Sequence, residues 1–377
     1  MKTRDKYSNF INNKKTVVVS LGLMSGTSLD GVDIALIKTD AYQLVKLGSF
    51  KTYRYSNTLI NKIKEFIINR NNIKDINLLI TRFHAMSIKS FLNNFKIKKS
   101  EIDIIGFHGQ TIFHFPEERW TWQLGDGQYL SNLVKIPVIS NFRYRDICLG
   151  GQGAPLVGIW HKILSQSLSK HKYPCVFLNI GGVSNITYIE NMDDVPYSFD
   201  IGVGNGPLDI VMQKYYKKKF DMGGTISLKG NINYKILNNI LEDSWFKTSP
   251  PKSIDKNYLN NLIFFHFDKL KSADMAANIA KLISLQLKVG CNFFNKQPKS
   301  LYISGGGVKN VAIINGIKEE FNEIIFSLHD NNWNADAMEA QAFAYLASRS
   351  LKSLPYTWNE VTGVSSETSG GVINFPK

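Results

Sequence analysis

The sequence predicts an α/β protein made of two related domains. Its 377 residues and 42.7 kDa exceed one ordinary hydrophobic core. Short strand-like runs alternate with segments of helical periodicity. The chain also opens twice in one way, as strand, glycine-containing turn and strand, with Gly22 and Gly181 standing 159 residues apart. Two halves with the same opening suggest duplication.

Residues 1–16 are polar and rich in Asn and Lys, and are expected to form a frayed tail. Val17–Met24 and Asp33–Lys38 read as strands joined by Ser25-Gly26-Thr27-Ser28-Leu29-Asp30-Gly31. Helical periodicity covers 57–70 and 75–95, with Ile60, Ile63, Phe66 and Ile67 on one stripe. Ile102–Phe107 is a short buried strand that runs into His108-Gly109-Gln110-Thr111. The polar, glycine-rich stretch from Asn141 to Pro155 breaks the periodicity and sets the domain boundary. Residues 17–150 then form the first domain, with 333–377 packing back onto it, and 151–332 form the second. In that second half Cys175–Ile180 is a strand, Gly181–Asn185 a turn and Ile186–Ile189 a strand. Helices are expected at 207–219, 231–242, 257–269 and 272–289, the last with Ser272 as N-cap and Gly290 just past its end. Leu301–Ser304 reads as a strand that leads through Gly305-Gly306-Gly307 into a helix, and 333–351 is helical and rich in alanine.

Composition narrows the class. At 44% apolar and 20% charged, the chain is neither collagen-like, nor disordered, nor a disulfide scaffold. Apolar runs such as Thr16–Met24 stop short of the roughly 18–20 residues of a membrane span, so no membrane partner is expected. Cys148, Cys175 and Cys291 are scattered and odd in number, which speaks against a zinc site or a disulfide framework and fits a cytoplasmic location. The net charge of +14 suggests nucleic acid, yet only eight of the 45 basic residues are arginine. The lysines are spread thinly, so no nucleic-acid partner is expected and the field at most attracts an anionic substrate.

A Gly/Ser/Thr turn between strands offers backbone N–H groups and hydroxyls to phosphate oxygens. Two such turns, one per domain, can grip successive phosphates of a nucleotide, and Gly305-Gly306-Gly307 lets the backbone approach a ring or a phosphate. No GxxxxGK[ST] loop exists, and Gly202-Val203-Gly204-Asn205 lacks a complete GxGxxG. Asp200, among glycines, is the acid–base candidate, with an Asx-turn or helix-cap carboxylate as the plain alternative. Asp30 either reaches a magnesium ion or is a turn aspartate. Arg143, Arg145 and Asp146 either clamp an anion or form a boundary salt bridge. His108 and His114 lack metal spacing, and His108 reads as a hydrogen-bonding residue. Glu339, on an apolar helix, is either functional or on the exposed face.

Several blocks carry a family resemblance. Gly22-Leu23-Met24-Ser25-Gly26-Thr27-Ser28-Leu29-Asp30-Gly31-Val32-Asp33 resembles the opening signature of the anhydro-N-acetylmuramic acid kinases. Matching blocks follow in order: His108-Gly109-Gln110-Thr111, Arg143-Tyr144-Arg145-Asp146 with Gly150–Pro155, Leu178–Asn185, Phe199-Asp200, Gly305-Gly306-Gly307, Met338-Glu339-Ala340 and Val361-Thr362-Gly363. The resemblance covers the chain from about residue 19 to the end. It implies two duplicated ribonuclease H-like domains of the actin, hexokinase and Hsp70 superfamily around an ATP cleft. It also implies the reaction of ATP, 1,6-anhydro-N-acetylmuramic acid and water to N-acetylmuramic acid 6-phosphate and ADP, in recycling of cell-wall peptidoglycan.

By the same resemblance, Asp200 falls on the catalytic base. Gly26, Thr27, Ser28, Leu29, Asp30, Gly31, Val32 and Asp33 hold ATP phosphates, with Asp30 toward Mg2+. Gly181, Gly182, Ser184, Asn185 and Gly305–Gly307 meet the nucleotide from the second domain. His108, Gln110, Arg143, Arg145, Asp146 and Glu339 belong to the substrate side, and a homodimer is expected. Two segments depart from the family pattern. Gly202-Val203-Gly204-Asn205 stands where Gly-Pro-Gly-Asn is usual, and Ile254-Asp255-Lys256-Asn257 stands where Thr-Gly-Arg-Glu follows Pro251-Lys252-Ser253. The alternatives are another sugar or carboxylate kinase of the superfamily, or a non-catalytic nucleotide-binding protein.

Overall fold

The computed structural model describes residues 16–26, 29–321, 324–326, 328 and 331–377. The chain divides into two compact units: residues 1–163, 337–359 and 363–377, and residues 164–336 with 360–362. The division follows Ile163, inside a helix, and not residue 150. The glycine-rich stretch 141–155 breaks periodicity without separating domains. The expected tail lies almost wholly outside the described residues, as do Thr27 and Ser28.

Along the first unit run β1 (Val18–Ser25), β2 (Gly31–Thr39), β3 (Val45–Arg54), α1 (Asn57–Asn69), α2 (Ile73–Asn94), β4 (Ile104–Phe115), β5 (Trp120–Leu124), α3 (Gly127–Val134), β6 (Val138–Ser140), α4 (Tyr144–Cys148) and α5 (Gly158–Ser165). The second carries β7 (Cys175–Ile180), β8 (Val183–Ile189), β9 (Tyr197–Val203), α6 (Asn205–Val211), α7 (Tyr234–Leu241), α8 (Ser244–Lys247), α9 (Lys256–His266), α10 (Ser272–Cys291), β10 (Ser300–Ser304), α11 (Val311–Phe321) and β11 (Ile325–Phe326). The chain returns to the first unit with α12 (Met338–Leu351) and β12 (Val372–Asn374).

Both sheets follow one plan. In the first, β1, β2 and β3 form an antiparallel meander, and β4 and then β6 add in parallel beside β1. In the second, β7, β8 and β9 form the meander, and β10 and then β11 add in parallel beside β7. This is the ribonuclease H-like order 3-2-1-4-5, present twice, so the fold is α/β and duplicated. The first sheet is extended by β12 on β6 and by β5 on β4.

Local chemistry explains the elements. Ser56 caps α1 by accepting the Leu59 N–H, and α1 buries Leu59, Ile63 and Phe66 in the first core. Gly22 and Gly106 pair across β1 and β4, and a Cβ on either would overlap the backbone of α12, at Ala340 and Ala344 or at Phe343. Glycine in the sheet and alanine in the helix bring α12 onto the sheet at backbone distance. In the second core α10 supplies Met275, Ile279, Ile283 and Leu287. Its N-cap is Lys271, not Ser272, whose hydroxyl meets Tyr216 at 2.9 Å. The helix also runs past Gly290 to Cys291, so Gly290 is no terminator but a packing position, where a Cβ would press Ile201 at 2.8 Å. The expected helix at 207–219 is α6 followed by a π-turn, Met212–Tyr216. Among the described residues no helix is long and apolar enough to cross a membrane.

Candidate functional site

In the first unit the turn after β1 rests on a buried polar chain. His84 Nδ1 meets the Ile80 carbonyl at 2.8 Å, so its Nε2 accepts from the Ser25 hydroxyl at 2.9 Å. Tyr55 donates to Ser25 at 3.1 Å, and the Gln110 amide donates to the Gly26 carbonyl at 3.0 Å. Burial pushes the His84 pKa down to about 4, so the ring is neutral at pH 7 and keeps its acceptor nitrogen. The turn itself closes through the Leu29 N–H on Gly26 at 3.2 Å, with Leu29 in the left-handed region at φ 58.

The segment Gly26–Asp33 is not uniform. Asp30 is exposed on the turn, while Leu29 and Val32 are core side chains that offer only backbone outward. Gly31 and Asp33 belong to β2 (Gly31–Thr39), and the Asp33 carboxylate accepts from the Thr52 hydroxyl at 2.5 Å. This bond ties β2 to β3.

Of the residues expected on the substrate side, His108, Arg143 and Asp146 meet around the Gly153 loop. The Nε and an η nitrogen of Arg143 reach His108 Nε2 at 3.1 and 3.0 Å, and another η nitrogen donates to the Gly153 carbonyl at 2.7 Å. His108 Nδ1 meets the Gly109 carbonyl at 2.8 Å, which fixes the proton on Nδ1. Burial and the adjacent guanidinium hold His108 well below the usual histidine range, so it is a neutral acceptor. Asp146 is fully buried and accepts the Gly153 N–H at 2.7 Å, pinning the glycine loop. It shapes this loop from inside. Arg145 is exposed on α4, and Glu339 is half-buried in the first turn of α12.

In the second unit three glycine segments converge. Asn205 N–H donates to the Gly181 carbonyl at 2.7 Å and Gly206 N–H to the Gly182 carbonyl at 3.0 Å. A Cβ on Gly204 would overlap the Gly181 carbonyl, and one on Gly305, at φ 83, would meet Asn179 Oδ1 and the Ile180 carbonyl at 2.6 Å. Outward the picture reverses: at Gly181 a Cβ would find only ordinary contacts, and at Gly306 only the Asn205 amide at 3.3 Å. The turn is Gly181-Gly182 alone. Ser184 and Asn185, expected within it, belong to β8 because the strand pairs up to Val183. Buried Ser184 Oγ and Asn185 Oδ1 have no protein partner. A donor and an acceptor left unpaired beside a glycine cradle fit a polar ligand such as a nucleotide.

Asp200 lies within β9, opposite Asn185, and not on a loop. Ile201 forms the bulge there, since Asn185 faces Asp200 while Ser184 faces Gly202. The open edge of β9 is covered by side chain and loop. Asp200 N–H donates to the Lys252 carbonyl at 3.0 Å, and Ile254 N–H donates to Asp200 Oδ2 at 3.0 Å. Val203 N–H donates to Gln286 Oε1 at 2.7 Å, and the Gln286 amide donates to the Val203 carbonyl. The Val203 departure thus uses an N–H that proline lacks. In the other departure Asp255 caps α9, accepting the N–H groups of Asn257 and Tyr258 at 2.9 and 2.8 Å. Sequence reading missed Lys252, Gln286 and His84: the Lys252 carbonyl meets Asp200, Gln286 meets Val203 and His84 meets Ser25, all far along the chain. Among the described residues no cluster of three His, Cys, Asp or Glu side chains is able to hold a metal.

The comparisons with known proteins agree with these blocks. The profile described as anhydro-N-acetylmuramic acid kinase matches residues 18–376. The anhydro-N-acetylmuramic acid kinase of Rhodopseudomonas palustris (strain HaA2) is 36% identical over 371 residues, covering 96% of this chain and 100% of that protein. That of Bradyrhizobium diazoefficiens is 36% identical over 384 residues, with 96% and 100% covered. Among solved structures, a ROK family glucokinase from Streptomyces griseus in complex with glucose and AMPPNP is similar at 9% identity and a TM-score of 0.42, covering 88% of this chain and 99% of that one. With a match that runs from the first strand to the last, the chain belongs to the anhydro-N-acetylmuramic acid kinase family.

Proposed function

We propose that this protein is an ATP-dependent kinase that opens 1,6-anhydro-N-acetylmuramic acid with water and phosphorylates O6, giving N-acetylmuramic acid 6-phosphate and ADP in peptidoglycan recycling. Family membership supports the reaction. The observation that carries the site is Asp200, held by backbone on both sides beside a glycine cradle with unpaired polar atoms.

The substrate's O6 is tied to C1 in an internal acetal and has no proton to lose. Asp200 therefore takes a proton from water, whose oxygen bonds to C1 as the C1–O6 bond breaks. O6, released as an alkoxide, is captured by the γ-phosphoryl group. Bound MgATP supplies that electrophile and neutralises its charge. Gly181, Gly182 and Gly305–Gly307 offer backbone to phosphates, with Ser184 and Asn185 as polar partners. In the first unit Gly26 and Leu29–Gly31 offer their backbone, and Asp30 is the carboxylate for Mg2+, which commonly takes one or two carboxylates plus phosphate oxygens. Arg143 or Arg145 meets the sugar's lactyl carboxylate. His108 and Asp146 hold the Arg143 loop, and Gln110 holds the turn. A cytoplasmic homodimer completes the reading.

The test is ADP release. With ATP and Mg2+, the anhydro sugar is expected to raise release at least about a hundredfold over ATP alone, with one ADP per sugar phosphate. Equal or faster release with ordinary N-acetylmuramic acid or with acetate favours another kinase of the superfamily, and no release with any sugar favours a nucleotide-binding protein.

A further inference from the structure

Beside Asp200 sits a lysine that the reaction does not employ. Lys252 is 7% exposed, and Phe199, Ile201, Phe246 and Phe293 line the pocket around it. Its Nζ donates to the carbonyls of Trp245 at 2.9 Å and Phe246 at 3.2 Å, both on α8. It also lies 4.4 Å from the Trp245 ring centre and 4.7 Å from that of Phe293. Burial pushes its pKa down to about 8.

An apolar side chain of similar length would fill this pocket without the cost of desolvating an ammonium. The lysine is therefore poorly explained by stability alone. Its bonds do something more specific. They tie the 252–254 segment to the carbonyl end of the four-residue α8, where the Trp245 carbonyl also accepts the Thr248 N–H at 3.3 Å. The Trp245 indole N–H adds a third tie, to the Ser253 carbonyl at 3.0 Å. That same segment brackets Asp200 from the open edge of β9, accepting its N–H at Lys252 and donating to its Oδ2 from Ile254, both at 3.0 Å.

We propose that Lys252 is a positioning residue for Asp200: its ammonium anchors the short segment whose backbone fixes the place and orientation of the carboxylate. The proposal rests on the reading of Asp200 as the base. Misplacing a base by a fraction of an ångström slows chemistry without altering nucleotide contacts.

The test uses the full chain with saturating anhydro sugar, ATP and Mg2+. Lys252→Met is expected to lower kcat about 10–100-fold while the KM for ATP stays within about twofold. In an Asp200→Asn background the same substitution is expected to lower the residual rate no further, because Lys252 acts through Asp200. Trp245→Phe, which removes the tie to Ser253 and leaves a smaller aromatic ring beside the ammonium, is expected to lower kcat a few-fold and keeps the question answerable if Lys252→Met does not fold. Unchanged kcat in folded Lys252→Met or Trp245→Phe, or an equal loss in the Asp200→Asn background, overturns the proposal. Wild-type turnover in Asp200→Asn alone instead overturns the base assignment on which it rests.

Discussion

Asp200→Asn is expected to lower kcat by about three orders of magnitude or more while nucleotide binding stays close to normal. Asparagine keeps the shape and an oxygen able to accept the Ile254 N–H, now 3.0 Å from Oδ2. It also leaves the Asp200 N–H on the Lys252 carbonyl. What it removes is the ability to take a proton from water. A positioned general base contributes typically 10²–10⁴-fold, and O6 of the anhydro sugar, bound in the acetal, carries no proton whose loss starts the step. The glycine cradle at Gly181, Gly182 and Gly305–Gly307 is untouched, so titration with ATP is expected to give a Kd within about twofold of wild type. Turnover near wild type in this variant assigns the proton transfer to another group.

The second large effect concerns the fold. Gly106→Val is expected to cost at least about 3 kcal/mol, read as a lowered urea midpoint or as failure to accumulate soluble protein. Gly106 lies in β4 beside Gly22 of β1, and a Cβ there would overlap the Phe343 carbonyl and approach the Ala347 side chain at 3.1 Å. Both partners are main chain or short side chain, so nothing swings aside. The helix α12 must lift from the sheet that carries the Gly26 turn. Gly316→Ala is the contrasting case. Gly316 sits inside α11, where a Cβ would meet the Ser284 hydroxyl at 3.2 Å and otherwise only ordinary contacts with Lys281 and Ser284 carbons at 3.7 Å. The alanine there gains helix propensity worth about 0.5–1 kcal/mol against a small rearrangement, so stability is expected to change by less than about 1 kcal/mol. If the two substitutions cost the same, close approach of α12 is not what these glycines are for.

What was legible in the sequence is what leaves a local mark. The duplicated opening around Gly22 and Gly181 became two sheets of one order, because buried β-branched runs and the glycines between them are set by neighbours in sequence. Long helices such as α2 and α10 showed their apolar stripes. Edge strands did not. β3, Val-Lys-Leu-Gly-Ser-Phe-Lys-Thr-Tyr-Arg, is half exposed and mixes lysine with glycine, so its alternation is blurred. β9 carries Asp200 and Gly202 within seven residues and reads as a loop, though pairing with β8 makes it a strand. Asp200 was found by its company of glycines. Lys252 and Gln286 were not, because each works through a contact more than 50 residues from where it stands in the chain or through bonds its own spacing does not announce. Arg143 and His108 were both singled out as residues, but their pairing is a tertiary fact, 35 positions apart.

In the proposed reaction water enters at the sugar and not at phosphorus. Running the reaction in oxygen-18 water and analysing products at early times tests it. Label is expected at C1 of N-acetylmuramic acid 6-phosphate and none in its phosphoryl group, since O6 comes from the unlabelled substrate. Phosphoryl oxygens do not exchange under these conditions, so oxygen-18 appearing in the phosphoryl group of the product would contradict it.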